Sequence, residues 1–230
     1  MVALFVILTI IGFILVDSVV QWAEARHGRP VRRPALRPTL AFETVSIPAG
    51  LFLDEGHTWV RLEPSGRTFI GMDEFARRAI GRVDAVELPK VGAMVRRGDP
   101  LFAITQGGRR AVFRAPLDGV VSAVNENLMR QPETGRMDPY EDGWICTLTP
   151  KNLAAHLRHL LVAEEARAWL QREIERFKEF LTWRPMPQVA LGHVLQDGGQ
   201  WTDGVLEALD ETGWEEFTRT FLRSPHPAEG

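Results

Sequence analysis

One cysteine, Cys146, and three lysines, Lys90, Lys151 and Lys178, are all that 230 residues hold of two reactive side chains. A single cysteine excludes an intrachain disulfide and any multi-cysteine metal cluster. The basic residues are almost all arginine, so primary amines are scarce. A net charge of -3 and a pI near 6.1 give no footprint for nucleic-acid binding. With 45% hydrophobic and 25% charged residues the composition is globular. The length suits one domain with additions, or two small domains.

The long apolar run is at the N-terminus. Val2 to Val16 is interrupted only by Thr9 and Gly12, and Val19, Val20, Trp22 and Ala23 continue it past Asp17 and Ser18. That is about the length of one helical span, with Trp22 at the interfacial position. A cleaved signal peptide is the competing reading, because Ala23-Glu24-Ala25 has a small-x-small form. The missing basic n-region favours the anchor over it. The arginines that follow, from Arg26 to Arg37, place the remainder in the cytoplasm by the positive-inside rule. Residues 1–24 are therefore expected to anchor the chain once in the cell's inner membrane. Residues 25–45, rich in Arg and Pro, form an extended tether.

Residues 46–150 show short β-like runs between turns. Thr58–Leu62 and Thr68–Ile70 read as a hairpin, Asp73–Ile80 as a short capped helix, and Val83–Leu88 as a strand. Leu101–Gln106 and Arg109–Arg114 flank Gly107-Gly108, a strong signal for a type I′ turn. An apolar strand follows Ala115-Pro116-Leu117-Asp118-Gly119, and Gly143–Leu148 closes the region. Residues 151–184 carry an apolar stripe from Leu153 to Leu181, predicting one long amphipathic helix from Asn152 to Trp183. In the tail, 185–230, a short strand is expected at Val189–Gly192 and a short helix at Asp203–Leu209. Thr212 with Glu215 predicts the cap of a further helix. Its aromatic residues, Trp201, Trp214, Phe217 and Phe221, are too few for a separate core and should pack on the long helix or a partner.

Six blocks occur in order: His57-Thr58-Trp59-Val60, Ile70–Ala76, Val86–Gly92, Ala115–Val121, Val124–Leu128 and Asp138–Trp144. Together they resemble the H-protein of the glycine cleavage system over roughly residues 50 to 155. The resemblance implies a mainly β, lipoyl-like barrel-sandwich hybrid. Here it would be flanked by a transmembrane helix and a helical C-terminus.

In that family a hairpin lysine carries lipoate and shuttles an aminomethyl group between enzymes. Counted from Pro100 or from Pro116, the lysine position falls on Gly108. No lysine lies between Lys90 and Lys151, and arginine is a poor acyl acceptor. Lipoate is therefore not expected, and Lys90 reads as a solvated turn residue. The hairpin's remaining polar candidates are Arg109, Arg110 and Arg114, which would suit docking to an acidic partner surface.

No catalytic constellation stands out. His156, His159 and His193 lack a metal-ligand spacing, Cys146 reads as a small buried hydrophobe, and His57 as structural. The leading expectation is a non-catalytic, membrane-anchored scaffold binding unidentified proteins, with no nucleic acid and no small-molecule substrate. One alternative is a lipoyl and aminomethyl carrier. Another is a periplasmic adaptor of an export pump, which the Ala115–Val121 block also resembles.

Overall fold

Among the described residues, ten short strands begin at Leu51. In the computed structural model the described residues are 47–132, 138–182 and 204–223. They belong to one compact unit, Leu40–Gly230. The strands are β1 (Leu51–Asp54), β2 (Thr58–Leu62), β3 (Thr68–Met72), β4 (Ala85–Glu87), β5 (Met94–Val95), β6 (Pro100–Gln106), β7 (Arg109–Arg114), β8 (Gly119–Val124), β9 (Trp144–Pro150) and β10 (Leu161–Val162). The helices are α1 (Glu74–Ile80), α2 (Glu126–Arg130), α3 (Leu153–Leu157), α4 (Ala163–Thr182) and α5 (Glu211–Phe221). A 3-10 turn at Val205–Ala208 precedes α5.

Two antiparallel sheets result. One has the order β10-β1-β2-β3-β9-β8-β5 and the other β4-β6-β7. Trp59, Ile70, Cys146 and Leu148 from the larger sheet share one core with Phe102, Ile104, Ala111 and Phe113 from the smaller. Each Ile, Leu or Phe among them, fully buried, stabilises the fold by roughly 1.5–3 kcal/mol. Helix α1 starts because Asp73 accepts the Ala76 N–H at 2.8 Å. It buries Phe75, Ala76, Ala79 and Ile80.

The mainly β fold with a helical C-terminus is as expected, but three local expectations need correction. The single helix from Asn152 to Trp183 is broken. Leu161 and Val162 leave helical geometry to pair with Leu53 and Phe52 on the edge of the large sheet. Asn152 and Ala163, at the starts of the two pieces, both take positive φ. Ladder bonds to β1 and burial of Leu160 outweigh helix propensity here. The cap of α5 is not Thr212 but Asp210, whose side chain accepts the Gly213 N–H at 2.8 Å. Residues 205–208 form the tighter 3-10 turn instead of an α-helix.

Strands β5 and β10, two residues each, and helix α2 have too few residues to leave a periodic signal. No helix among the described residues is long and apolar enough to cross a membrane. The apolar run of residues 2–23, the tether, the Val189–Gly192 strand, Trp183, Trp201 and His193 all lie outside them.

The C-terminal helices pack on the sandwich rather than beside it. Helix α4 buries Ala166, Trp169, Leu170, Ile174, Phe177 and Leu181. Helix α5 buries Trp214, Phe217 and Phe221. The Phe177 ring meets Phe75 of α1 at 5.3 Å, Phe217 at 5.7 Å and Phe221 at 5.4 Å. One aromatic cluster thus joins α1, α4 and α5, answering the need of the tail for a larger core.

Candidate functional site at the hairpin

The β6–β7 hairpin closes through Gly107 at φ 56° and Gly108 at φ 82°. Both central residues have positive φ, as a type I′ turn requires. The turn is tied down by Asp84, whose carboxylate accepts the Gly107 N–H at 2.6 Å. That hydrogen bond, with help from Arg82, holds the carboxyl below the usual carboxylate range. Below the turn, buried Gln106 donates to the carbonyl of Ile80.

The three arginines behave differently. Arg109 turns inward. Its guanidinium donates to Leu209 O at 2.5 Å, to Leu206 O at 3.3 Å and to Gln106 Oε1 at 2.8 Å. It also lies 4.6 Å from the centre of the Trp214 ring, a cation–π contact. Trp214 returns a bond, its indole N–H donating to Arg110 O at 3.2 Å. Arg110 stays exposed and forms a two-pronged pair with Glu87 at 2.9 and 2.7 Å. The hydrogen bond from Arg110 lowers the Glu87 pKa, and the one to Glu87 raises that of Arg110. Arg114 donates to Gly98 O at 2.8 Å. Each guanidinium therefore already has partners within the chain, and Arg109 is half-buried against its own C-terminal segment. Nothing in the sequence marks Asp84, Glu87, Gln106, Leu206, Leu209 or Trp214 for this site. About a hundred residues separate Arg109 from Leu209, and no local pattern encodes such a contact.

A second polar cluster is buried. His57 is fully enclosed, and its Nδ1 lies 2.8 Å from Asp73 Oδ2. Nε2 faces Glu173 Oε1 of α4 at 3.8 Å. Glu173 is itself held by Arg176 at 2.8 and 3.0 Å. Burial alone would depress the imidazole. The charge and hydrogen bond of Asp73, aided by Glu173, overcome that and raise its pKa to about 9. The ring stacks on Phe75 at 4.4 Å. This arrangement pins α4 to the sandwich and leaves His57 no access to solvent, in keeping with its structural reading.

Cys146 is buried in β9, where desolvation pushes the thiol up to about 12. His156 sits 3.3 Å from Asp118, and His159 is exposed. The described residues contain no group of three that could hold a metal ion.

The glycine cleavage H-protein family profile matches residues 51–173, more than half of the chain. The chain belongs to the glycine cleavage H-protein family. It is 35% identical over 125 residues to a probable glycine cleavage system H protein of Pyrococcus furiosus, covering 54% of this chain and 92% of that one. The Listeria innocua H protein is 41% identical over 105 residues, covering 46% and 83%. That of Psychrobacter is 37% identical over 125 residues, covering 54% and 98%. A solved H-protein structure from Mycobacterium marinum matches at TM-score 0.43 and 27% identity, covering 46% of this chain and 87% of that one.

H-proteins are carriers rather than catalysts, and this family member is not an enzyme. The family implies lipoate on the hairpin lysine. The residues present do not fit that attachment, because the hairpin turn is Gly107-Gly108 and no lysine lies between Lys90 and Lys151. A side chain at Gly108 would point into open space, so the site is sterically free but chemically empty of a nucleophile. Lys90 lies in the turn before β5, the edge strand of the larger sheet, and Lys151 just after β9, an inner strand.

Proposed function

We propose that this H-protein-family chain is a non-lipoylated docking module, held at a membrane by residues 1–24 with its folded part in the cytoplasm. The observation that carries the proposal is Gly108 at the carrier position, within a turn whose two positive-φ residues suit glycine. Acylation needs an unprotonated amine, and neither Arg109 nor Arg110 supplies one. The hairpin instead serves as a folded anchor for the C-terminal segment, with Arg109 inside it. Its outer face offers the exposed Arg110–Glu87 pair to a protein partner.

Kinship weighs the other way. The named relatives are glycine cleavage system H proteins, and they favour a lipoyl and aminomethyl carrier over a scaffold. That reading requires attachment at a lysine outside the hairpin, Lys90 or Lys151 being the nearest in sequence. Intact-mass measurement on the chain purified from its native cell decides between them. An unmodified mass supports the docking module. A lipoyl adduct mapped to any lysine ends it and establishes the carrier.

A further inference from the structure

Two lysines, Lys90 and Lys151, lie beside strand β5. Val91 and Met94, on the turn into β5, are 61% and 68% exposed. The turn is fixed by the Ala93 N–H to Lys90 O bond at 3.0 Å. Two bonds to β8 fix it further, Gly92 N–H to Val121 O at 2.8 Å and Val121 N–H to Ala93 O at 2.9 Å. The apolar side chains are thus held outward by a rigid frame. Lys90 flanks them in sequence, and Lys151 reaches over with Nζ 3.9 Å from Met94 Sδ. Neither ammonium forms an ion pair among the described residues. Two of the chain's three lysines therefore border one exposed apolar pair.

We infer that this edge is a second membrane contact: Val91 and Met94 enter the interfacial layer of an anionic bilayer, while Lys90 and Lys151 reach its headgroups. Long cationic side chains bury their stems and keep their charge in water, so this pairing of residue types suits such an interface. The inference rests on the reading of residues 2–23 as an anchor. A protein partner is the poorer fit, because two apolar side chains fall well short of the ~800 Å² per partner of a specific interface. A bilayer needs far less when the domain is tethered to it. Residues 25–45 join the patch's domain to the proposed anchor, and tethering of this kind supplies effective concentrations of order millimolar. Weak contacts then decide which face of the domain lies down. Charge attraction makes the contact sensitive to salt.

The test uses the full chain in lipid nanodiscs, with Val91→Cys carrying an environment-sensitive fluorophore. Cys146 is fully buried and does not compete for the label. Blue-shifted, brighter emission is expected in discs containing phosphatidylserine. The shift is expected to vanish in neutral discs, in high salt, and in the Lys90→Glu, Lys151→Glu double variant. A label at Ser65→Cys, in the exposed β2–β3 turn, should not respond. Identical Val91→Cys emission in anionic and neutral discs overturns the inference. So does a shift that arises only when a soluble protein fraction is added. Cofractionation with the discs reports the anchor separately. A chain that never enters the discs fails at the anchor, taking this inference with it. A chain that enters without the shift fails at the patch alone.

Discussion

The Arg109 guanidinium lies 4.6 Å from the Trp214 ring and donates to Leu209 O at 2.5 Å. Through this relationship the hairpin of the H-protein fold and the C-terminal segment become one packed unit. Trp214 is fully buried, so Trp214→Ala should cost about 3–5 kcal/mol. Arg109→Ala should cost less, on the order of 1–3 kcal/mol, chiefly by leaving buried carbonyls unpaired. Denaturant unfolding of both variants checks the ranking, and equal, negligible losses would show that the segment does not depend on the hairpin.

Gly108→Lys places an amine in the hairpin turn, at the position that the sequence resemblance assigns to the carrier lysine. A side chain there meets open space but must adopt φ near 82°, costing roughly 1–2 kcal/mol. The variant should fold, and coexpression with a lipoyl-attaching enzyme should give an adduct on it alone. Intact mass reads the result. An adduct on the unaltered chain under the same conditions would contradict the docking-module proposal.

The buried His57 predicts a pH dependence. Its folded pKa is raised to about 9 from 6.5, so the folded state holds the proton more tightly than the unfolded chain. The resulting stability is fully present below pH 6.5 and is lost as pH rises through about 9. Stability measured across that window should fall in the unaltered chain and change less in Asp73→Asn, which removes the main charge partner. A flat profile in the unaltered chain would mean that His57 is neutral in the folded state.

Gly81 ends α1 at φ 78°, with its α-carbon against the backbone of Gly204. Gly204 N–H donates to Arg78 O at 2.7 Å, tying the C-terminal segment to this helix. A methyl group at Gly81 would meet backbone on one side and Glu207 on the other. Gly81→Ala should therefore lower stability by more than the ~1 kcal/mol of positive φ alone. Hydrogen exchange should show residues 204–223 losing protection before the β-sandwich does.

Cys146 should resist thiol reagents in the folded chain. Its thiol is buried and pushed up to about 12 by desolvation. Labelling should follow global unfolding, and rapid labelling under native conditions would show that β9 opens locally.

Much of this protein is written locally in its sequence. Period-two runs and paired glycines mark the β6–β7 hairpin, because positive φ at two adjacent positions has few solutions in L-residues. Asp73 marks the start of α1, because the cap bond spans only three residues. The ordered blocks identified the family, with no coordinates needed. Tertiary structure alone decided what the arginines do. Arg109, Arg110 and Arg114 look alike in sequence, yet one lies over the Trp214 ring, one is paired with Glu87 and one holds a turn carbonyl. It also decided that the long helical stripe breaks at Leu161, because strand pairing with β1 competes with helix there. These outcomes depend on contacts between residues far apart in sequence. Local pattern carries no record of them, since only the closed fold brings such groups within bonding distance.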